Sequence, residues 1–180
     1  MFNTINRFGL VTIILHWLIA LAIFVLFGLG WYMVELTYYD ALYNILPSVH
    51  KSVGILLAVL FVISVIWRAI NRKPDPLRTS SQLEVLAASV AHFLLSLLTG
   101  LILISGYLIP TANGASISVF EWFDVPAIIA NLPQQEDIAG LIHKYLSYAI
   151  IGVVIAAVLR VKSRCARPNL TCPSGSVIVK

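Results

Sequence analysis

Four long apolar stretches decide what this chain can fold into. The first covers residues 8–34 and carries no Asp, Glu, Lys or Arg between Arg7 and Glu35. The others cover residues 47–67, 85–109 and 138–159. A run of about 18 or more apolar residues is long enough to cross the hydrocarbon of a bilayer as a helix. Only 11% of the 180 residues are charged, against roughly 25% in a soluble domain, which excludes a soluble enzyme. A disordered chain is excluded too, because 59% of the residues are hydrophobic. A membrane barrel would show alternating segments of roughly ten residues, and none occurs. The expected fold class is therefore all-α, an integral membrane four-helix transmembrane bundle over residues 1–160, followed by a tail at 161–180. Within such helices every backbone group is satisfied internally.

The first apolar run is far longer than the core of a signal peptide (about 7–15 residues), and no small-x-small cleavage site follows Tyr32. It reads as a retained span. Lysine and arginine then set the orientation. Arg7, Arg68, Arg72, Lys73, Arg78, Arg160, Lys162, Arg164, Arg167 and Lys180 fall on one side, with only Asp75 and Glu84 against them. Lys51 and Lys144 fall on the other, beside Glu35, Asp40, Glu121, Asp124, Glu136 and Asp137. The positive-inside rule predicts both termini in the cytoplasm. The net charge of +4 thus reports topology in a lipid bilayer, not a nucleic-acid partner. Trp31, Tyr32, Tyr38, Tyr39, Tyr43, Trp122 and Phe123 gather at the expected outer interface, and Trp67 at the inner one. The long third loop is apolar from Ile117 to Ile129, broken at Pro126, and is expected to lie on the outer membrane surface as a short cap.

The chain has four histidines, and each span carries one: His16, His50, His92 and His143. Ionisable residues inside a bilayer are costly and usually face a bundle interior, where they mark a site. His16 and His92 lie in helices that start inside, His50 and His143 in helices that start outside. The sequence therefore predicts two histidines at each of two depths. Facing imidazoles on neighbouring helices are what a b-type haem needs at its two axial positions. Small residues repeat at helical spacing: Ala20 after His16, Gly54 after His50, Ser147 after His143, and Ser96 and Gly100 after His92. Such stripes leave room for a flat macrocycle, and equally allow close helix packing.

Lys51 and Lys144 directly follow the outer histidines and are the only outer cations. They are candidate contacts for haem propionates, or for a small anion such as superoxide drawn to an outer haem edge; ordinary interfacial snorkelling is the alternative. Other chemistries lack their signatures. No H-E-x-x-H, paired His/Glu bundle motif, phosphate loop or nucleophile motif occurs. Cys165 and Cys172 do not form the C-x-x-C-H of covalent haem attachment and read as free thiols.

The stretches I-L-H-W-L around His16, H-K-S-V-G from His50, A-H-F-L-L around His92 and L-I-H-K-Y-L-S-Y around His143 resemble the bacterial cytochrome b561 family. So does the loop G-A-S-I-S-V-F-E-W-F-D-V-P-A from Gly114 to Ala127. The resemblance covers roughly residues 6–156. It implies a four-helix dihaem b cytochrome of the bacterial inner membrane, passing electrons between the periplasmic face and the quinone pool, in some members as a superoxide:quinone oxidoreductase. It also makes His50 and His143 the axial pair of the outer haem, and His16 one ligand of the inner haem. The family's second inner ligand is a histidine 14 residues after the first on the fourth helix, a rise of about 21 Å. Here that position is Ala157.

Three readings of this departure are open. His92 takes over as a fallback ligand; the inner haem is absent or five-coordinate, leaving one haem b of two; or the chain end is a frameshift or truncation product. The run C-A-R-P-N-L-T-C-P-S-G favours the third. Two other functions compete with the electron-transfer reading. One is a haem-bearing anchor for a separate dehydrogenase, docked on the loop from Glu121 to Asp137. The other is a cofactor-free membrane protein in which the histidines relay protons.

Overall fold

The computed structural model describes residues 2–4, 8–71, 74 and 82–165. Arg7, Arg72, Lys73, Asp75, Arg78 and the tail from residue 166, with Arg167, Cys172 and Lys180, lie outside the described residues. Four helices carry the apolar runs: α1 (Leu10–Val34), α2 (Ile45–Ile70), α3 (Gln82–Leu108) and α4 (Gln135–Cys165). Their membrane-length segments are Leu10–Val34, Ile45–Ile70, Val85–Leu108 and Gln135–Leu159. The shortest of these, at about 1.5 Å per residue, still exceeds a hydrocarbon core of about 30 Å.

Local chemistry sets the helix ends. Asn3 Oδ1 accepts from Gly9 N–H at 2.7 Å and from Thr12 Oγ1 at 2.8 Å, tying the amino-terminal arm to the start of α1. Trp67 Nε1 donates to Thr12 Oγ1 at 3.0 Å, and Phe2 stacks on the same indole. This closes the α1 start onto the α2 end. Pro47 falls in the first turn of α2, where a missing N–H costs nothing. Pro110 follows the last turn of α3, and Glu136 and Asp137 in the first turn of α4 complement its dipole.

Consecutive helices pack as antiparallel neighbours, and Tyr148 of α4 closes the ring against Phe27 and Trp31 of α1. The apolar core is small. Ile19, Leu26 and Leu57 are buried, with Ala22, Ile23, Val53, Leu60 and Leu103 packed around them. Most large apolar side chains face outward, as they must in lipid. Several buried positions are instead small and polar: Ser52, Ser64, Thr99, Ser105 and Thr111. Without a hydrophobic drive between helices in lipid, such residues let the backbones approach closely. Thr99 and Thr111 donate to the carbonyls of Leu95 and Tyr107 one turn back, at 2.7 and 2.8 Å.

The third loop, expected as a surface-lying cap, folds as an antiparallel β-hairpin. β1 (Ile117–Val119) pairs with β2 (Phe123–Val125), with Ile117 opposite Val125 and Val119 opposite Phe123. Apolar composition alone did not distinguish this from a surface-lying segment. The alternation that does is short: Ile117 and Val119 point in and are buried, and Ser118 points out. Val119, fully buried, packs with β1 against α2. Phe120 and Glu121 at the tip have φ of 48° and 60°, and Trp122 N–H closes the turn on the Val119 carbonyl at 2.9 Å. A left-handed conformation costs about 1–2 kcal/mol per non-glycine residue, so something must hold the tip. Ser52 does: its Oγ donates to the Ser118 carbonyl at 3.4 Å and accepts from Phe120 N–H at 3.1 Å.

Two further side chains fix the loop. Tyr107 Oη donates to the Pro126 carbonyl and accepts from Ile128 N–H, both at 2.7 Å. The buried Gln135 amide donates to the carbonyls of Leu108 and Ile129 at 3.0 and 3.2 Å. Its oxygen accepts from Leu132 N–H at 3.2 Å. One side chain thereby joins the end of α3, the loop and the start of α4.

Candidate functional site

Each histidine lies near the amino-terminal end of its helix, so alternating helix direction sends His16 and His92 to one end and His50 and His143 to the other. Each level is thus built from helices diagonal to one another across the ring, α1 with α3 and α2 with α4. The depth pattern follows from that one regularity.

At the outer end, the imidazoles of His50 and His143 meet with ring centroids 6.2 Å apart and planes inclined by 74°. His143 Nδ1 lies 3.0 Å from the Ile102 carbonyl and 3.3 Å from Ser105 Oγ. A carbonyl only accepts, so Nδ1 carries the proton and Nε2 keeps its lone pair. Ser105 Oγ donates in turn to the same Ile102 carbonyl at 3.0 Å. His50 Nδ1 is buried with no hydrogen-bond partner among the described residues.

Two glycines make room for these rings. A Cβ at Gly106 would come within 2.9 Å of His143 Cε1 and 3.1 Å of its Nδ1. A Cβ at Gly30 would meet His50 Cε1 at 3.4 Å. Neither glycine belongs to the small-residue stripes predicted from the sequence. Of those stripes, Gly54 faces open space and Gly100 abuts Phe61. Ser96 and Gly100 line a shallow groove on α3 with Phe93, Leu97, Leu101 and Ile104. The stripe rule follows one helix, whereas the glycines that matter lie across a helix–helix contact. The available signal was the polar, flexible pair Ser105–Gly106 inside an otherwise apolar run.

Lys51 and Lys144 are exposed beside the outer pair. Asp40, in the link between α1 and α2, has its carboxyl held below the usual range by Thr37. The Thr37 backbone N–H is the larger cause, and its hydroxyl the smaller.

At the inner end, His16 lies within electrostatic reach of His92 and of Arg68. His92 Nδ1 donates to the Ala88 carbonyl of its own helix at 2.7 Å, which leaves Nε2 with a lone pair. His16 meets Trp17 edge-on, with centroids 6.1 Å apart. Both imidazoles are exposed. Ala157 is half-buried on α4.

These donors fit a haem iron at the outer level. Two imidazoles on facing helices with centroids 6.2 Å apart would be the nitrogen donors that a haem iron takes from the protein. The lone pair of His143 Nε2 leaves that ring with capacity for a further partner, and His50 Nδ1 has no hydrogen-bond partner among the described residues. Among the described residues no three His, Cys, Asp or Glu side chains gather. The protein donor set at this level is two imidazoles, which is what a macrocycle supplying four nitrogens requires.

Residues 7–158 match the family model described as prokaryotic cytochrome b561. The chain is 47% identical over 149 residues to "Cytochrome b561 homolog 2" of Escherichia coli (strain K12), covering 83% of this chain and 79% of that protein.

Proposed function

This chain belongs to the prokaryotic cytochrome b561 family, and from that premise we propose that it oxidises a donor at the outer face and reduces membrane quinone. Family membership makes it a b-type cytochrome of electron transfer and, with its four spans, a multi-pass protein of the bacterial inner membrane. The finer proposal adds a direction, a donor and two sites.

Both termini lie in the cytoplasm, placing His50 and His143 at the periplasmic level. These two residues hold the outer haem, His16 with His92 hold the inner one, and His92 stands in for the histidine that Ala157 replaces. When bound, haem b supplies reversible one-electron exchange at an iron with two imidazole ligands. Lys51 and Lys144 draw an anionic donor to the outer edge and pair with propionates. Arg68 beside His16 gives the cytoplasmic level a fixed positive charge. With superoxide as donor, two superoxide anions lose one electron each and leave as dioxygen. One quinone gains both electrons and two protons and leaves as quinol.

The observation that carries this reading is the pair of imidazoles 6.2 Å apart on α2 and α4, each followed by an outer lysine. Haem per polypeptide in detergent-purified protein, with its dithionite-reduced spectrum, tests it. A ratio near two that falls to one in His92→Ala supports both sites. A ratio near one leaves only the outer site, and colourless folded protein overturns the proposal. Superoxide-dependent quinone reduction, lost in the Lys51→Ala, Lys144→Ala double variant, tests the donor.

The exposed tip of the hairpin, with Trp122 81% exposed, favours a second reading, an anchor for a separate dehydrogenase. Co-purification of a partner that is lost when Trp122 is changed to Ser would identify it.

A further inference from the structure

We infer that Ser105 and Gly106 of α3 are positioning residues for His143, and that they make the two outer imidazoles unequal. This rests on the reading of His50 and His143 as an axial pair.

Gly106 decides where the ring lies. His143 is laid so close to the α3 backbone that a methyl group at 106 would sit 2.9 Å from Cε1, a separation real Cβ atoms do not sustain. Only a residue without Cβ lets the imidazole reach the Ile102 carbonyl. Ser105 decides how the ring is held. Its Oγ and the Ile102 carbonyl both lie within reach of Nδ1, at 3.3 and 3.0 Å, and its own proton engages that carbonyl. The Nδ1 proton is thereby shared between two acceptors from one turn of α3, which leaves the Nε2 lone pair free.

A hydrogen bond accepted from the distal N–H of a ligating imidazole fixes the ring and raises its basicity. His143 has this support, and His50 has none among the described residues, where its Nδ1 is buried and unpartnered. The consequence is a stronger donor on the α4 side of the iron than on the α2 side. A more basic ligand favours the oxidised metal, so the Ile102 carbonyl and Ser105 together hold the outer haem at a more negative potential than an unsupported pair would. No general packing role for α3 predicts a potential that tracks one hydroxyl.

The test uses full-length protein in detergent, with haem per polypeptide and the potential of the haem that His143→Ala removes. Gly106→Ala is expected to weaken haem retention about 10–100-fold, losing the same haem as His143→Ala. Gly28→Ala, where a Cβ meets nothing within 4 Å, retains it. Ser105→Ala is expected to keep the haem and shift its potential in the positive direction, a result that stands even if Gly106→Ala fails to fold. Retained haem with an unmoved potential in Ser105→Ala overturns the inference alone. If His143→Ala removes no haem, the axial reading falls, and this inference with it.

Discussion

The two ends of the bundle hold their histidines in different ways. At the outer end, His50 and His143 are half-buried, in ring contact, nested on glycines of neighbouring helices and covered by a pinned hairpin. At the inner end, His16 and His92 are exposed, and among the described residues His92 bonds to its own helix. Contacts from neighbouring helices hold the His50 and His143 rings in place. Among the described residues, no contact between helices fixes how His16 and His92 approach one another. Preorganisation lowers the ordering cost of binding, so the outer level should bind haem more tightly than the inner one.

The strongest challenge to this contrast is removal of one imidazole at each end. His143→Ala should abolish the outer haem in the reduced spectrum while leaving any inner haem. His92→Ala should lower inner occupancy alone. Equal losses at both levels from either substitution would mean the two ends are not separate sites. Next in size, Ala157→His should sharpen the contrast by restoring the family's second inner ligand. Inner haem per polypeptide should rise in that variant, and should no longer depend on His92. If occupancy does not change, α4 is not within reach of the inner level.

A smaller effect is expected from the loop that covers the outer end. Gln135→Ala leaves two carbonyls and one N–H without their partner. At about 1–3 kcal/mol for a buried group left unsatisfied, thermal unfolding in detergent should begin at a lower temperature. Gly30→Ala should be milder than Gly106→Ala, because its Cβ would meet His50 at 3.4 Å rather than 2.9 Å. The smallest effect concerns Asp40. Its carboxyl is held below the ordinary value of 3.8, so the stability it contributes is present above that pH and lost as the pH falls through the lower folded value. Acid unfolding of Asp40→Asn should differ from the parent only in that acidic range.

Much of this was legible in the sequence, because a bilayer imposes simple rules. The four spans follow from run length, and the two histidine depths follow from chain direction. The element the sequence left obscure is the hairpin. Ile117 and Val119 alternate over too few residues to stand out, and Phe120 and Glu121 are poor advertisements for a left-handed turn. Their conformation is imposed by Ser52, 68 residues before Phe120. Gly106 was hidden for a related reason. Its role is defined by a ring on another helix, and no periodicity within α3 points across that gap. The proposed cytoplasmic orientation of the termini comes from Lys and Arg positions in the sequence, several of which lie outside the described residues.

Ser52 stands two residues after His50 and grips the hairpin tip, so the spacing of the 110–134 segment is mechanically tied to the helix that carries an outer ligand. Among the described residues the 35–44 link has no such grip; Tyr38, Tyr39 and Asp40 are exposed. Length variation and engineered insertions should therefore be channelled into the first outer loop. An epitope placed after Tyr39 should be accepted with the absorption spectrum intact, while the same epitope after Glu121 would pull on the clip and be reported optically at His50. The molecule would then carry its own gauge of where it tolerates being lengthened.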